Sequence, residues 1–381
     1  MMTGRSFRRP LVLAAAGLLG GLVAAGLPAP ATAVPDAGTV YFDPATRQAQ
    51  LARPDHAVAR AACLAIPVDP DWIALPPLAA LEETEGYGTD NRAAPFAWAV
   101  MVLGGRALAA DGEAARTLKT LLTRWAAAGA FNGSVESHDT YYALKRILLP
   151  TIVSYAIVRD GVDPADRMLI ERWLGPLVQR IDHTFDGDVD VNNHRYLADS
   201  VLMAWGALTN DDALYGKGIA RFDIALSQAR DDGSLPLEAR RGARALWYTR
   251  HALTSLVVMA EIARAHGDDL YGRHTDAGRS FDLLLSFLTT GLESPSLVNS
   301  YAPANYVPGP STDFRRQDLG FLTRRSNGRN YMAFAEALQR QAPSTAPRIL
   351  LEGRFEAGIA AERPLIDEYV GGNATCFFAE E

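Results

Sequence analysis

The stretch ARTLKTLLTRWAAA, residues 115–128, decides the fold. Its large apolar side chains, Leu118, Leu121, Leu122 and Trp125, recur at steps of one, three and four residues. This is the spacing of an α-helix with one buried face, whereas a half-buried strand alternates apolar and polar residues. The stretch therefore predicts an amphipathic helix that packs against other elements along a single stripe.

The same spacing returns along most of the chain. Apolar stripes at helical spacing follow in the segments 144–155, 168–181 and 253–260, and short joints rich in Gly, Asp, Asn and Pro separate them. Many helices with short joints predict an all-α fold, an incomplete (α/α) toroid of antiparallel helix pairs, with an α-solenoid as the alternative. The sequence shows no fixed repeat, which favours the toroid.

The first 33 residues have the features of an export signal. Arg5, Arg8 and Arg9 precede an uncharged apolar run, and a small-x-small pattern ends at Ala33. We expect cleavage there and a mature protein that is periplasmic or secreted. A membrane anchor is the alternative, but the run is short for a span. The arginine pair is typical of the twin-arginine route, and ordinary secretion is the other route.

Residues 34–381 are predicted to form one domain, because their number suits a single large core. We expect residues 34–56 to be extended and weakly structured, and the segment 293–330 to be a long loop over one rim of the toroid. The net charge of −7, with no dominant basic tract, argues against a general nucleic-acid binder. The two cysteines, Cys63 and Cys376, form either one disulfide or two buried thiols.

One motif that can carry chemistry is DVNNHRY, residues 190–196. Asn192 or Asn193 suits the N-cap of a helix that runs from about His194 to Leu208. Because helix N-termini attract anions, an amide and an imidazole at such a start can receive a carboxylate. Taken alone, the motif is better explained by Asn192 as a cap, His194 as a satisfied polar residue and Tyr196 as a core side chain.

A second motif is LPLEARRGARALWYTR, residues 235–250. If a helix covers residues 241–262, Arg241, Arg244 and Tyr248 share one face, because seven residues make nearly two turns. Two guanidiniums and a phenol suit the wall of a cleft that binds an anion. The alternative is a solvated face with a half-buried tyrosine.

Other common chemistries leave no sign in the sequence. The histidines lack metal-ligand spacing, and the acidic loop 186–190 departs from a calcium-binding loop, so we expect neither a metal nor a cofactor. There is no nucleophile elbow and no phosphate loop. What remains are donors for an anion and groups that can move a proton, which indicates β-elimination on a uronic acid polymer.

The two motifs resemble those of the alginate lyase family, helical-toroid polysaccharide lyases of the bacterial periplasm that act on mannuronate-rich alginate. The resemblance rests on NNHxY at 192–196 and LPLExRRxxRALxY at 235–248, and it covers about residues 85–290. It implies an anionic polysaccharide as substrate. We assume a monomer, and since no dominant basic tract and no second long apolar segment follow the signal, we expect binding neither to nucleic acid nor, after signal cleavage, to a membrane. The catalytic residues that it implies are Asn193, His194, Arg241 and Tyr248.

The resemblance also implies a division of roles. Asn193 and Arg241 neutralise the substrate carboxylate with help from His194, and Tyr248 protonates the departing glycosidic oxygen. Either Tyr248 or His194 is the base. Glu238 is expected to hold Arg241 in place. The residues expected to contact substrate are Asn192, Arg195, Arg244, Tyr87, Tyr142 and Trp247.

This sequence departs from the family pattern at two points. The family carries a lysine in an early Lys-Tyr-x-Gly segment, and the matching segment here, residues 86–88, reads Gly-Tyr-Gly. The residue after the tyrosine of the second motif is usually histidine, and here it is Thr249. Both departures concern substrate subsites. The alternatives are an inverting glycoside hydrolase on a similar toroid, with Glu85 and Asp139 as an opposed pair, and a non-catalytic polysaccharide-binding protein.

Overall fold

The structure, a computed structural model, describes most of the chain. The predicted export signal, the segment around Glu85 and Tyr87, and the middle of the predicted rim loop lie outside the described residues. Within the part that is described, no helix is both long and apolar enough to cross a membrane. The described ranges are 38–82, 92–301, 316–340 and 342–380.

Helices make up most of the described residues, as the spacing predicts. The α-helices are α1 (Pro44–Leu51), α2 (Ala57–Cys63), α3 (Ala94–Leu108), α4 (Gly112–Ala127), α5 (His138–Val158), α6 (Pro164–Ile181), α7 (Asn193–Thr209), α8 (Asp212–Gln228), α9 (Pro236–Ala239), α10 (Ala245–Ala265), α11 (Phe281–Glu293), α12 (Phe334–Leu338), α13 (Ala346–Arg354) and α14 (Ala374–Phe378). The strands are β1 (Ile366–Asp367) and β2 (Gly372–Asn373), which pair antiparallel.

The stripe at residues 115–128 forms most of α4. Asp111 caps this helix, because its Oδ1 accepts hydrogen bonds from the backbone N–H groups of Glu113 at 3.0 Å and Ala114 at 3.1 Å. All four apolar side chains of the stripe are buried, while residues on the opposite side are exposed. The one-sided burial shows that α4 lies on the outside of the fold, with its apolar face turned inward.

The long helices form two rows. Helices α3, α5, α7 and α10 make an inner row in which each packs against the next. Helices α4, α6, α8 and α11 each follow an inner helix in the chain and pack on its outer side. Inner helices α5 and α7 are buried almost all round, as a position between two layers requires. Such helix pairs build the predicted incomplete (α/α) toroid.

The C-terminal segment 366–373, which we call the strap, lies against the inner row. It consists of β1, a single 3-10 turn at 368–370 and β2, and it packs on α3, α5 and α10. Gly371 and Gly372 turn the chain at φ +76° and +138°, angles that L side chains rarely adopt. A Cβ on Gly371 would stand 2.7 Å from Cγ2 of Val153, so the strap backbone approaches α5 closely.

The N-terminal described segment is fastened to the end of the chain. The prediction that residues 34–56 are weakly structured is wrong, because α1 begins there with Asp43 as its cap. This helix has no apolar stripe to reveal it, since its buried face carries Arg47, whose Nε donates to the carbonyl of Cys376 at 2.9 Å. Cys376 also forms a disulfide with Cys63, with 5.4 Å between the Cα atoms.

Candidate active site

The start of α7 fixes an amide and an imidazole side by side. Asn192 is the N-cap, and its Oδ1 accepts a hydrogen bond from the backbone N–H of His194 at 2.8 Å. The backbone N–H of Asn193 donates to Oε1 of Glu238, also at 2.8 Å. Side chains thus satisfy two of the amides that a helix start leaves free. Asn192 is thus one of the two caps that the sequence offers, and its contact with the substrate stays a prediction.

Glu238 lies beneath Asn193 rather than in an ion pair with Arg241. Glu238 holds Arg241 through the backbone, since its carbonyl accepts a hydrogen bond from the N–H of Arg241 at 3.1 Å, and among the described residues no carboxylate forms an ion pair with that arginine. Glu238 is 2% exposed. Burial raises the pKa of its carboxyl to about 7, against the opposing effects of the Asn193 N–H and of Arg241. The guanidinium of Arg241 is therefore not paired with a carboxylate in the part of the chain that the structure describes.

The helix predicted over 241–262 begins later than expected. Gly242 has φ +58° and starts a single 3-10 turn, so α10 begins only at Ala245. The predicted common helical face for Arg241 and Tyr248 is therefore wrong. Arg241 nevertheless reaches over Tyr248, with its guanidinium carbon 4.0 Å from the ring centre. The turn at Gly242, rather than helical spacing, brings the Arg241 guanidinium over the Tyr248 ring.

His251 joins the two motifs. It lies one helical turn after Tyr248, and the two rings meet edge to face with centres 5.6 Å apart. Its Nδ1 lies 3.3 Å from Nδ2 of Asn193. Since Asn193 is adjacent to His194 at the start of α7, the structure brings together the four side chains that the resemblance assigned to catalysis.

The cluster is rich in positive charge, and its histidines are neutral. Burial lowers the pKa of His194 well below its ordinary value, and Lys145 and Arg241 lower it further. The pKa of His251 is lowered in the same way, by burial first and by Arg250 second. Lys145 donates from Nζ to the carbonyl of His194 at 3.4 Å, and burial lowers its own pKa to about 8. Such a site attracts a carboxylate while keeping an imidazole able to accept a proton.

Arg195 belongs to the scaffold. It is 7% exposed, and its Nη2 lies 2.7 Å from Oδ1 of Asp182 and 2.7 Å from Oδ1 of Asp199. Its charge is matched by two carboxylates, so we correct its predicted contact with substrate to a structural ion pair between α7 and the end of α6.

Tyr142 also has a different place from the one predicted. It is 5% exposed, and its ring stacks on that of His194 with 4.2 Å between centres. A face covered by His194 cannot stack on a sugar, so Tyr142 supports the imidazole instead. Tyr87, the other tyrosine predicted to bind substrate, lies outside the described residues.

Trp247 and Arg244 remain at the open side of the cluster. Trp247 is half-buried, and the guanidiniums of Arg244 and Arg325 lie 5.4 and 5.5 Å from its ring centre. Nε of Arg244 stands 3.5 Å from Oδ2 of Asp318. These partly exposed groups suit contact with a neighbouring sugar, as the sequence predicts.

Three residues of the cluster were missed from the sequence: His251, Lys145 and Tyr369. The first two had a signal, since His251 follows Tyr248 by three residues and Lys145 follows Tyr142 by three, a step that shares a helix face. Tyr369 had none, because it reaches the site through the strap.

The sequence also raised the questions of a metal site and of a pair of opposed carboxylates. Among the described residues, no group of three or more His, Cys, Asp or Glu side chains is arranged to hold a metal ion. Of the carboxylate pair suggested for a hydrolase, Asp139 lies in the first turn of α5. Glu85 lies outside the described residues, so the pair stays a prediction.

Solved structures confirm the class of fold, an (α/α) toroid. Alginate lyase A1-III from Sphingomonas species A1 superposes with a TM-score of 0.71 and 21% identity, over 91% of this chain and 97% of that chain. A variant of alginate lyase A1-III complexed with a tetrasaccharide superposes with a TM-score of 0.72 and 22% identity, over the same shares of the two chains. At this level of identity the likeness establishes the fold alone.

Sequence comparison establishes the family. The alginate lyase family profile matches residues 84–297, more than half of the chain. The chain belongs to the alginate lyase family. A polysaccharide lyase of Stenotrophomonas maltophilia is 35% identical over 202 residues, which are 52% of this chain and 60% of that protein. An alginate lyase of Pseudomonas syringae pv. tomato is 28% identical over 206 residues, 51% of this chain and 52% of that protein. The chain thus spans about half of the length of these relatives.

Proposed function

We propose that the protein is a lyase that cleaves alginate, or a closely related uronate polymer, by β-elimination. Its family and the names of its relatives support this proposal. The observation that carries it is the contact of Arg241 with Tyr248, beside a histidine that bonds Asn193. A guanidinium, a phenol, an amide and a neutral imidazole in one cluster are the groups that elimination from a uronate requires.

In the proposed reaction, a base removes the proton from C5 of the uronate, the electron pair forms the C4–C5 double bond, and the C4–O bond breaks. The departing glycosidic oxygen takes up a proton. Negative charge builds up on the carboxylate as the C5 proton leaves, and Arg241 and Asn193 are placed to stabilise it. One product chain carries an unsaturated uronate end, and the other carries a free hydroxyl.

Tyr248 is the better candidate for proton transfer. It is half-buried, whereas His194 is 2% exposed and covered by the Tyr142 ring. One tyrosine that takes the C5 proton and returns one to the glycosidic oxygen suits an elimination on a single face of the sugar. Neutral His194 then hydrogen-bonds the carboxylate. In an elimination across opposite faces, His194 takes the proton instead.

We also propose that the enzyme acts in the periplasm or outside the cell, after removal of residues 1–33. The basic start, the uncharged apolar run and the small-x-small pattern support this location. An extracellular or periplasmic site is where a long anionic polysaccharide is available to a toroid enzyme. Sequencing the N-terminus of the protein recovered from periplasm and medium tests the proposal, and an intact Met1 would count against it.

The experiment that tests the activity is a screen of the purified protein against a panel of uronate polymers. A lyase produces a conjugated unsaturated uronate that absorbs ultraviolet light. A hydrolase produces reducing ends without that absorbance, and a polysaccharide-binding protein produces neither. Ultraviolet-absorbing product from a mannuronate-rich polymer is the expected result, and its absence with every polymer would overturn the proposal.

A further inference from the structure

The strap brings a second tyrosine into the cluster. The ring of Tyr369 lies 4.4 Å from that of His251, and its hydroxyl is hydrogen-bonded to the hydroxyl of Tyr142. Tyr142 in turn stacks on His194. His251 also contacts the amide of Asn193, the residue before His194. Tyr369 therefore connects the two histidines, to His251 through its ring and to His194 through Tyr142.

Buried ion pairs of the two residues that precede it hold this tyrosine in place. Glu368 is paired with Arg146 of α5 and with Arg329, and each of the three side chains is less than a tenth exposed. Although burial alone would raise it, these two arginines keep the pKa of Glu368 below its ordinary value. Asp367 faces Arg250 of α10 at 4.0 Å. Moving the strap would separate buried charges, which is strongly unfavourable.

The position of Tyr369 matters because a histidine side chain alone does not fix how its ring lies. The χ2 angle of a histidine is broad, so the plane of its ring is set by the groups that pack on it. A neighbouring aromatic ring restricts that plane, and a hydrogen-bonded partner determines which ring nitrogen faces it. Tyr142 covers His194 and Tyr369 covers His251, and the hydroxyl–hydroxyl bond joins the two covers.

We propose that Tyr369 is a positioning residue of the lyase reaction, which sets the ring orientations of His194 and His251 through its hydroxyl and its ring. This inference rests on the proposed function. Tyr369 is 5% exposed and acts through its neighbours rather than on the substrate. It lies beyond residues 84–297, the part of the chain that the family profile matches. The strap therefore completes a centre whose other members come from the matched region.

The test removes one hydroxyl at a time. Tyr369→Phe keeps the ring, and we expect kcat to fall by about 10- to 100-fold, since small misplacements of reacting groups have effects of that size. KM is expected to stay within about two-fold, because binding of the polymer away from the reacting sugar is unchanged.

A matched control exists in the same part of the molecule. The hydroxyl of Tyr41 donates to the strap carbonyl of Val370 at 3.1 Å, but its ring packs on Phe377 and Phe378 rather than on a histidine. Tyr41→Phe removes a buried hydrogen bond to the strap and is expected to leave kcat within about two-fold of wild type. Equal losses in Tyr369→Phe and Tyr41→Phe would reduce Tyr369 to a structural role.

A double-mutant cycle tests the link to Tyr142. If the two hydroxyls act as one unit, Tyr142→Phe combined with Tyr369→Phe has the kcat of the worse single variant, within about two-fold. Independent losses that multiply would overturn the proposed link.

A readout that needs no activity separates this proposal from the proposed function. In protein labelled with ¹⁵N at histidine, Tyr369→Phe is expected to shift the ring signals of His194 and His251 and to leave those of His56 and His266 in place. His194→Gln and His251→Gln assign the signals. Unshifted signals refute the positioning role, whereas a wild type that yields no unsaturated product from any polymer refutes the lyase function.

Discussion

The guanidinium of Arg241 lies over the face of the Tyr248 ring, 4.0 Å from its centre, although Arg241 precedes the helix that carries Tyr248. A cation in this position is attracted by the ring and is held there without a carboxylate partner. Its charge opposes the rise in the pKa of the Glu238 carboxyl, yet no ion pair joins it to a carboxylate of the described residues. This is the arrangement that an anionic sugar unit completes.

The first prediction concerns the hydroxyl of Tyr248. Tyr248→Phe keeps the ring that Arg241 covers and removes the group that transfers the proton. We expect turnover to fall by about 10²- to 10⁴-fold, the usual contribution of a general acid or base, with an unchanged melting temperature. The formation of ultraviolet-absorbing product measures the loss. Tyr215→Phe is the control. Tyr215 lies on the outer helix α8, and its hydroxyl donates a hydrogen bond to Asp268 at 3.0 Å. Near-normal turnover of Tyr248→Phe would remove its assigned role.

The second prediction concerns the charge of Lys145. Burial and this ammonium keep the pKa of His194 well below its ordinary value, so wild-type activity should not decline as the pH falls from 7 towards 6. Lys145→Met removes a positive charge, so the pKa of His194 rises. The acid limb of kcat/KM should therefore move to higher pH. Lys119→Met on the outer helix α4 is the control, and identical profiles for both variants would contradict the coupling.

The sequence predicted the helical layout well because the outer helices have to show one apolar face. Leu118 and Trp125 reveal α4 by their spacing alone. Helix α1 was missed for the opposite reason, since it buries Arg47 against backbone carbonyls of the C-terminus. A buried arginine has no signature in an apolar pattern, because its partners are set by the tertiary fold.

The site also combines features that the sequence reveals with features that only the tertiary fold determines. Asn193 and Tyr248 were named through the resemblance of two short motifs to those of the family, because each motif alone also fits a helix cap or a solvated face. The contact between Arg241 and Tyr248 was expected from a helical face, yet a turn at Gly242 produces it. The place of Tyr369 in the site could not be predicted from the sequence, because it depends on how the strap folds against the inner row of helices.

The third prediction compares Arg241, which the resemblance assigns to catalysis, with Arg195, which was predicted to contact the substrate. Arg195→Met removes the buried partner of Asp182 and Asp199, so we expect a loss of about 1.5–3 kcal/mol in the free energy of unfolding, with KM unchanged. Arg241→Met removes a charge that no described carboxylate matches, so we expect near-normal stability and a large loss of kcat/KM. Urea unfolding and steady-state kinetics on both variants provide the comparison. A raised KM with normal stability in Arg195→Met would restore its predicted contact with substrate.

The fourth prediction concerns Glu238 and the pH dependence of stability. Burial raises the pKa of this carboxyl to about 7 in the folded protein, whereas an unfolded glutamate titrates near about 4.3. Between these values the folded state binds more protons than the unfolded state, so this group makes stability fall as the pH rises, by at most about 1.4 kcal/mol per pH unit. Glu238→Gln keeps an oxygen for the Asn193 N–H and does not titrate. Its stability relative to wild type should therefore improve steadily between pH 5 and about pH 7 and then level off.

Urea unfolding of wild type and Glu238→Gln at a series of pH values measures this difference, and taking the difference removes the titration of all other groups. Glu356→Gln, at an exposed position, provides the control, for which we expect a constant difference from wild type. If the Glu238→Gln curve runs parallel to that of the wild type over the whole range, the carboxyl is already ionised when the protein folds. The acceptor of the hydrogen bond that orients Asn193 would then be a charged carboxylate. In that case kcat of Glu238→Gln should be lower than that of the wild type, because a charge-assisted hydrogen bond is about twice as strong as a neutral one.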